Sequence, residues 1–95
     1  MKINLVFVEV QGAREAFGSL RFVFELHGET VGDLIDEIIL TYGPRSQELF
    51  LKDGHYRGNL QIISNWKNYV LPEKMNESVL AEGDTIIFAP LVDGG

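Results

Sequence analysis

A chain of 95 residues, of which 45% are hydrophobic, is long enough to bury one small apolar core and too short for a second domain. Eight Lys and Arg residues against fourteen Asp and Glu residues give a net charge of -6, so we do not expect the protein to bind nucleic acid directly. The absence of cysteine excludes disulfides, thiolate metal sites and cysteine nucleophiles.

The first half of the sequence predicts a β-hairpin followed by one amphipathic helix. Residues 1–10 form an apolar, β-branched run typical of an interior strand, and residues 20–27 alternate as in a half-buried strand. The glycine-flanked connector between them is too short for an independent helix. Thr30 stands where an N-cap belongs, before apolar residues at helical spacing, and Gly43 with Pro44 ends the helix. The predicted solvent side of this helix carries Asp33, Asp36, Glu37 and Thr41.

The second half predicts short strands joined by irregular segments. Residues 45–58 have the composition of an irregular surface loop. Residues 60–63 and 69–71 predict two short strands around a turn. Residues 73–80 predict a crossing segment with one helical turn, anchored by apolar side chains. The anchoring residues are Met75, Val79 and Leu80.

The last predicted strand leads into the C-terminal tail. It spans residues 85–89 and is closed by Pro90, whose nitrogen cannot donate to a ladder. We therefore expect one domain over residues 1–90 and a flexible tail over residues 91–95. The order of hairpin, helix and further strands predicts an α+β fold in which a sheet is covered on one face by the helix.

The sequence offers no catalytic machinery of its own. His27 lies in a predicted strand and His55 in a predicted loop, positions where a single histidine is usually structural or solvated. Metal-ligand spacings, phosphate-binding loops and nucleophile elbows are missing from the sequence. No apolar run is long enough to span a membrane and no export signal is present, so we expect a cytoplasmic protein without a membrane partner.

The last two residues, Gly94 and Gly95, indicate a terminus that reacts inside another protein. Glycine has no Cβ, so such a terminus can enter a channel too narrow for other residues. A carboxylate becomes an acyl donor once it is converted to a mixed anhydride, usually by attack on the α-phosphate of ATP. This chain has nothing to bind ATP, so a partner enzyme would supply the phosphate site and the Mg²⁺. The activated terminus would accept sulfur or an amine; the alternative is that the two glycines are a frayed end.

Two aromatic residues are candidates for partner contacts. Phe88 precedes the tail on the last strand, where core packing and an exposed binding role are equally open interpretations. Trp66 falls in the predicted turn between two strands, and partial burial over the sheet is the favoured interpretation for it.

The end of the sequence carries the most specific motif. Residues 80–95 fit the pattern L-x-x-G-D-x-hydrophobic-x-F-x-P-x-x-x-G-G, and Arg14-Glu15-Ala16 is similar to a weaker L-R-E signature after strand one. With these motifs the chain resembles, over nearly its whole length, the ubiquitin-like sulfur carriers. That family includes the small subunit of molybdopterin synthase, the thiamine sulfur carrier and the ubiquitin-related modifier. The resemblance implies a β-grasp fold with a mixed sheet of about four to five strands and one main helix across one face.

The resemblance also implies how the tail would function. Gly95 would be adenylated by an E1-like adenylyltransferase that uses ATP, and would store sulfur as a thiocarboxylate, with no cofactor bound to the carrier itself. Phe88 and Pro90 would face the activating enzyme or the large subunit of molybdopterin synthase. The threaded tail would consist of Leu91, Val92, Asp93 and Gly94.

Three places depart from the family pattern. They are Ala13 before Arg-Glu, Asp93 before Gly-Gly, and Ser64-Asn65-Trp66-Lys67 in place of an Asn-Gly turn. We expect a non-enzymatic carrier that delivers sulfur in the synthesis of molybdopterin or its tungsten analogue. A modifier attached to lysines of other proteins, or a carrier for tRNA thiolation, would use the same terminus. An interaction domain with an incidental Gly-Gly is a further hypothesis.

Overall fold

The structure, a computed structural model, describes residues 1–91 of the chain. Its strands are β1 (Lys2–Phe7), β2 (Arg21–Glu25), β3 (Leu51–Lys52), β4 (His55–Tyr56), β5 (Leu60–Ser64), β6 (Asn68–Tyr69) and β7 (Thr85–Pro90). Its helices are α1 (Ala13–Phe17), α2 (Val31–Tyr42) and α3 (Pro44–Phe50), followed by a single 3-10 turn at Pro72–Lys74.

The main sheet of the described chain has five strands in the order β2-β1-β7-β5-β6. Strand β1 pairs antiparallel with β2 and parallel with β7, while β5 pairs antiparallel with both β7 and β6. Strands β3 and β4 form a separate two-stranded hairpin. A mixed sheet covered by a main helix confirms the predicted α+β fold class.

The core lies between the main sheet and α2. On β1 the side chains of Ile3, Leu5 and Phe7 all point to this side and are buried, as the period of two in a strand requires. The predicted apolar stripe of α2 packs against them. Its fully buried members are Val31, Leu34, Ile35 and Ile38.

The N-terminus of α2 is closed by a reciprocal capping box. The backbone N–H of Asp33 donates to Thr30 Oγ1 at 3.1 Å, and Asp33 Oδ2 accepts from the backbone N–H groups of Glu29 and Thr30 at 2.9 and 3.1 Å. The hydrogen bonds from the backbone at Glu29 and Thr30 hold the pKa of the Asp33 carboxyl below its ordinary value. The predicted N-cap is therefore confirmed, and Asp33 closes the helix as well as facing solvent.

Glu37 was predicted to face solvent, and that prediction is wrong. Its side chain is 23% exposed. Its carboxylate accepts hydrogen bonds from the backbone N–H groups of His27 at 2.9 Å and Gly28 at 2.6 Å. His27 Nδ1 lies 3.3 Å from the same carboxylate. Burial raises the pKa of Glu37, but the hydrogen bonds from His27 and Gly28 outweigh it, so the pKa is lowered overall. Glu37 ties the end of the first hairpin to the middle of α2.

Residues 45–58, predicted as an irregular loop, are instead α3 and the β3–β4 hairpin. Pro44 ends α2 and also begins α3, because proline has no N–H to lose at a first helical position. Ser46 Oγ donates to the carbonyl of Gly43 at 2.7 Å, which satisfies a buried hydroxyl. Phe50 at the end of α3 is fully buried in the core.

Two other connections differ from their predictions. The connector after β1 contains the short helix α1, which lies between Gly12 at φ 90° and Gly18 at φ 78°. Phe17 of α1 stacks on Phe7 with ring centroids 4.7 Å apart. In the crossing segment the predicted helical turn is confirmed at Pro72–Lys74, but the proposed anchor Val79 is exposed. None of the helices in residues 1–91 combines the length and hydrophobicity needed to cross a membrane.

Replacing Glu37 by Gln should lower the melting temperature by a few degrees near neutral pH. The pKa of Glu37 is lowered in the folded protein. Its contribution is therefore present above the unfolded-chain pKa of about 4.3 and is lost as the pH falls through the lower folded-state value. Thermal denaturation across this pH range measures the effect, with Asp36→Asn, on the exposed side of α2, as the matched control. A difference between Glu37→Gln and the original protein that persists unchanged in acid would contradict this account.

Candidate functional site

Strand β7 carries the chain to its C-terminal tail. It lies between β1 and β5, and its residues Ile86, Ile87 and Phe88 have no exposed surface. The backbone N–H of Leu91 donates to the carbonyl of Asn59 at 3.1 Å, one residue beyond the Leu60–Pro90 pair that ends the ladder. The tail therefore follows the central strand of the sheet, which pairs with a neighbouring strand along both edges.

The predicted reactive residues follow directly after Leu91. Val92, Asp93 and Gly94 of the predicted threaded tail, and the predicted adenylation site Gly95, lie outside the described residues. The flexible tail and the domain boundary at residue 90 also stay predictions. What the structure does describe is the surface from which this segment departs.

Phe88 was predicted to face a partner, and in the folded chain it does not. Its side chain is completely buried, stacked on Phe7 with centroids 5.1 Å apart and in edge contact with Phe50, also at 5.1 Å. Register explains this position, since Phe88 pairs with Phe7 and with Ile62, whose side chains point to the core. The core interpretation that the sequence left open is the one that holds, and a partner can reach Phe88 only by opening the core.

Pro90 and Leu91 occupy more accessible positions at the end of β7. The carbonyl of Pro90 accepts a hydrogen bond from Gln61 Nε2 at 3.0 Å, and the ring is half-buried. Leu91 is 60% exposed. The predicted contact of Pro90 with a partner stays a prediction, and Leu91 is the first described tail residue with a free apolar side chain.

An apolar strip borders the base of the tail. Leu91, Tyr69 and Leu71 line one groove at the β5–β6 edge of the sheet, and all three are more than half exposed. We call these three residues the tail-exit patch. Exposed aromatic and aliphatic side chains that cluster in this way mark binding surfaces. The sequence indicated that Tyr69 and Leu71 share one face of a strand, because they alternate with Val70 before Pro72. It did not reveal that they lie beside the tail.

A polar cavity of about 400 Å³ borders Pro90 as well. Arg57, Gln11 and Asn59 supply its hydrogen-bonding side chains, and Glu9 contributes a carboxylate. The guanidinium of Arg57 is held in place by donating from Nη1 to the carbonyl of Glu48 at 2.7 Å. Arg57 follows the β3–β4 hairpin, so the segment predicted as a loop builds one wall of the tail's surroundings.

Titratable side chains near the tail serve the structure. The Tyr56 hydroxyl donates to the carbonyl of Leu60 at 3.0 Å, and burial raises the pKa of Tyr56 to about 12. At physiological pH Tyr56 is therefore neutral, and its hydroxyl keeps the proton that makes this hydrogen bond. His27 and His55 are both exposed and far apart in the chain, and within residues 1–91 no three acidic or histidine side chains converge as a metal site.

Trp66 was predicted to be partly buried over the sheet, and it is 58% exposed, so the larger part of the residue faces solvent. The cause is local, because Asn65 and Trp66 both adopt positive φ, at 52° and 60°, and this turn carries the indole away from the core. Among the candidates raised by the sequence, Phe88 is thus in the core and Trp66 on the surface.

No protein-family model and no curated protein sequence matches the chain, whereas solved structures do. The small archaeal modifier protein 1 from Methanosarcina acetivorans has a TM-score of 0.74 at 24% identity, over 99% of this chain and 96% of that one. The ubiquitin-like β-grasp fold is therefore confirmed. A chain in the Amycolatopsis orientalis BexX/CysO complex gives 0.70 at 20% identity, covering 98% and 99%. A candidate molybdopterin converting factor subunit 1 from Pyrococcus furiosus gives 0.68 at 23% identity, covering 97% and 99%.

Replacing Phe88 by Ala should lower the free energy of unfolding by about 3–5 kcal/mol, because it leaves a cavity between Phe7 and Phe50. The exposed Tyr69 is the matched control, and Tyr69→Ala should change the free energy of unfolding by about 0.5 kcal/mol or less. Chemical denaturation of both variants provides the comparison. Equal, small losses for the two would mean that Phe88 is displayed on the surface and not packed.

Proposed function

We propose that this protein is a sulfur carrier whose C-terminal carboxylate, on Gly95, is activated by an E1-like adenylyltransferase and converted to a thiocarboxylate. The observation that carries the proposal is that Leu91, four residues before Gly95, follows the central strand directly and belongs to the exposed tail-exit patch. The β-grasp fold, shared with small modifier and carrier proteins, supports the same class of function.

The chemistry requires two steps, both in the active site of partner enzymes. A Gly95 carboxylate oxygen attacks the α-phosphorus of ATP, the bond to pyrophosphate breaks, and an acyl-adenylate forms. A hydrosulfide then attacks the carbonyl carbon and AMP leaves with the bonding electron pair. The carrier contributes no catalytic side chain, because the phosphate site, the Mg²⁺ and the neutralising charges belong to the enzyme.

The carrier's contribution is docking and presentation of the tail. The tail-exit patch would hold the activating enzyme while residues 92–95 enter its active site, with Pro90 at the edge of the contact. Extended, four residues reach roughly 13 Å from the end of the described chain, so the docking surface has to lie close to the site of chemistry. Phe88 acts behind this surface by anchoring β7 in the core.

The acceptor we propose is the precursor of molybdopterin or of its tungsten analogue. The C-terminal motif and the fold shared with the Pyrococcus furiosus protein favour this acceptor. The large subunit of a molybdopterin synthase would then be the second protein to receive the tail.

A second candidate function is modification of other proteins. The fold is shared with small archaeal modifier protein 1, and the same adenylate can react with a lysine amine to form an isopeptide bond. A carrier for tRNA thiolation would also use this terminus. Isopeptide-linked conjugates in cells favour the modifier, whereas a free thiocarboxylate without conjugates favours the carrier.

Deleting Gly95 should abolish ATP–pyrophosphate exchange by the activating enzyme and leave thermal stability unchanged, because the reacting carboxylate is displaced while the core is untouched. Exchange of labelled pyrophosphate into ATP and a melting curve give the two readouts. Exchange that survives the deletion would disprove activation at Gly95. A large loss of stability would instead place the terminal residue in the fold.

Replacing Leu71 by Ala should raise the KM of adenylation for the carrier about tenfold and leave kcat within about twofold, because the patch binds the enzyme but not the reacting atoms. The exposed Leu40 on α2 is the matched control, since Leu40→Ala makes the same truncation at a side chain that is 86% exposed. Steady-state kinetics separates KM from kcat. An unchanged KM for Leu71→Ala, or an equal rise for Leu40→Ala, would exclude the tail-exit patch as the docking surface.

A further inference from the structure

The turn between β5 and β6 holds a tryptophan in a strained backbone conformation. The N–H of Lys67 donates to the carbonyl of Ser64 at 3.0 Å, and the two residues between them, Asn65 and Trp66, have φ of 52° and 60°. Turns with two positive φ angles are usually built from Asn-Gly, because the left-handed region crowds a Cβ. Asparagine tolerates this region, but a bulky aromatic residue rarely adopts it.

Asn65 fixes the strained turn to the beginning of β7. Its backbone N–H donates to the carbonyl of Thr85 at 2.8 Å, and its Oδ1 accepts from the Thr85 N–H at 2.8 Å. Its Nδ2 also donates to Asp84 Oδ1 at 3.2 Å. Strain of this kind persists only where the surroundings over-determine it, and it is concentrated at functional positions. The indole is therefore presented from a rigid base.

Trp66 overhangs a groove on the face of the sheet opposite α2. Trp66 and Val23, each 58% exposed, both line it, and the cavity between them has a volume of about 400 Å³. We call it the Trp66 groove. Its other lining residues are Asn4, Leu5, Val6, Arg21, Phe22 and Thr85.

The Trp66 groove is separate from the tail-exit patch. The two surfaces share no lining residue, and they approach each other at the β5–β6 hairpin, where Trp66 precedes Tyr69 by three residues. A protein segment bound in the groove therefore contacts other side chains than an enzyme that binds the tail-exit patch.

The charge of the groove contrasts with that of the whole protein. Arg21 is the one charged side chain in its described lining, although the chain has a net charge of -6. Trp66 and Val23 favour an apolar side chain, and the Arg21 guanidinium favours a carboxylate. The groove is thus complementary to an apolar and acidic segment, while most of the remaining surface would repel such a segment.

We propose that the Trp66 groove is a second docking surface, which takes a partner protein segment that places an apolar side chain between Trp66 and Val23 and a carboxylate on Arg21. This role goes beyond the chemistry of the tail and does not depend on Gly95. It gives the strained tryptophan a function.

A random peptide display selected on the whole protein tests the proposal, with Trp66→Gly as the matched variant. Glycine suits positive φ, so Trp66→Gly should keep or raise the melting temperature while it removes the indole. Enriched peptides should combine an apolar residue with a nearby Asp or Glu and should bind Trp66→Gly and Arg21→Glu at least tenfold more weakly. They should bind Leu71→Ala and the Gly95 deletion as well as the original protein.

Trp66 is the sole tryptophan, so its fluorescence reports groove occupancy directly, and a binding peptide without tryptophan should shift the emission to shorter wavelength. Failure to enrich any peptide would overturn the proposal. So would peptides that bind Trp66→Gly or Arg21→Glu with undiminished affinity. A marked loss of stability in Trp66→Gly would show that the indole supports the fold, which would also overturn it.

Discussion

The packing of Phe88 against Phe7 and Phe50 is the contact on which the rest of this structure depends. It joins the central strand β7 to β1 on one side and to the end of α3 on the other. Because β7 is paired along both edges, its position is fixed by hydrogen bonds as well as by packing. Leu91, three residues later, is already exposed. The chain thus passes from a rigid core to an accessible surface within about 10 Å, as the proposed carrier function requires.

The face of the sheet opposite α2 carries two surfaces with different character. The tail-exit patch is apolar and lies where β7 ends, whereas the Trp66 groove lies where β7 begins and contains Arg21. Between them, Ile87 on the same strand is fully buried without belonging to the core under α2. One face of the sheet thus carries both surfaces proposed to bind partners, and they share no lining residue.

The elements whose apolar residues recur at helical spacing or alternate along a strand were predictable from the sequence. Helix α2 combines an apolar stripe with a capping residue at Thr30 and a glycine at its end, and all three signals agree. Helix α3 has only seven residues and begins at the same proline that ends α2, so the sequence predicts a loop there. The sequence could not show which face of the sheet Phe88 occupies, because Ile86, Ile87 and Phe88 are all apolar. The pairing of Phe88 with Phe7 places it on the core side. The exposure of Trp66 follows from positive φ in a turn without glycine, for which the sequence has no signal.

Intact mass spectrometry can determine whether Gly95 carries activated sulfur. The protein would be incubated with ATP, its activating enzyme and a sulfur donor, and the modified residue located by fragmentation. We expect a mass increase equal to the exchange of one oxygen for sulfur, located on Gly95. An unmodified terminus accompanied by adducts of the chain on other proteins would contradict the carrier function and favour the modifier.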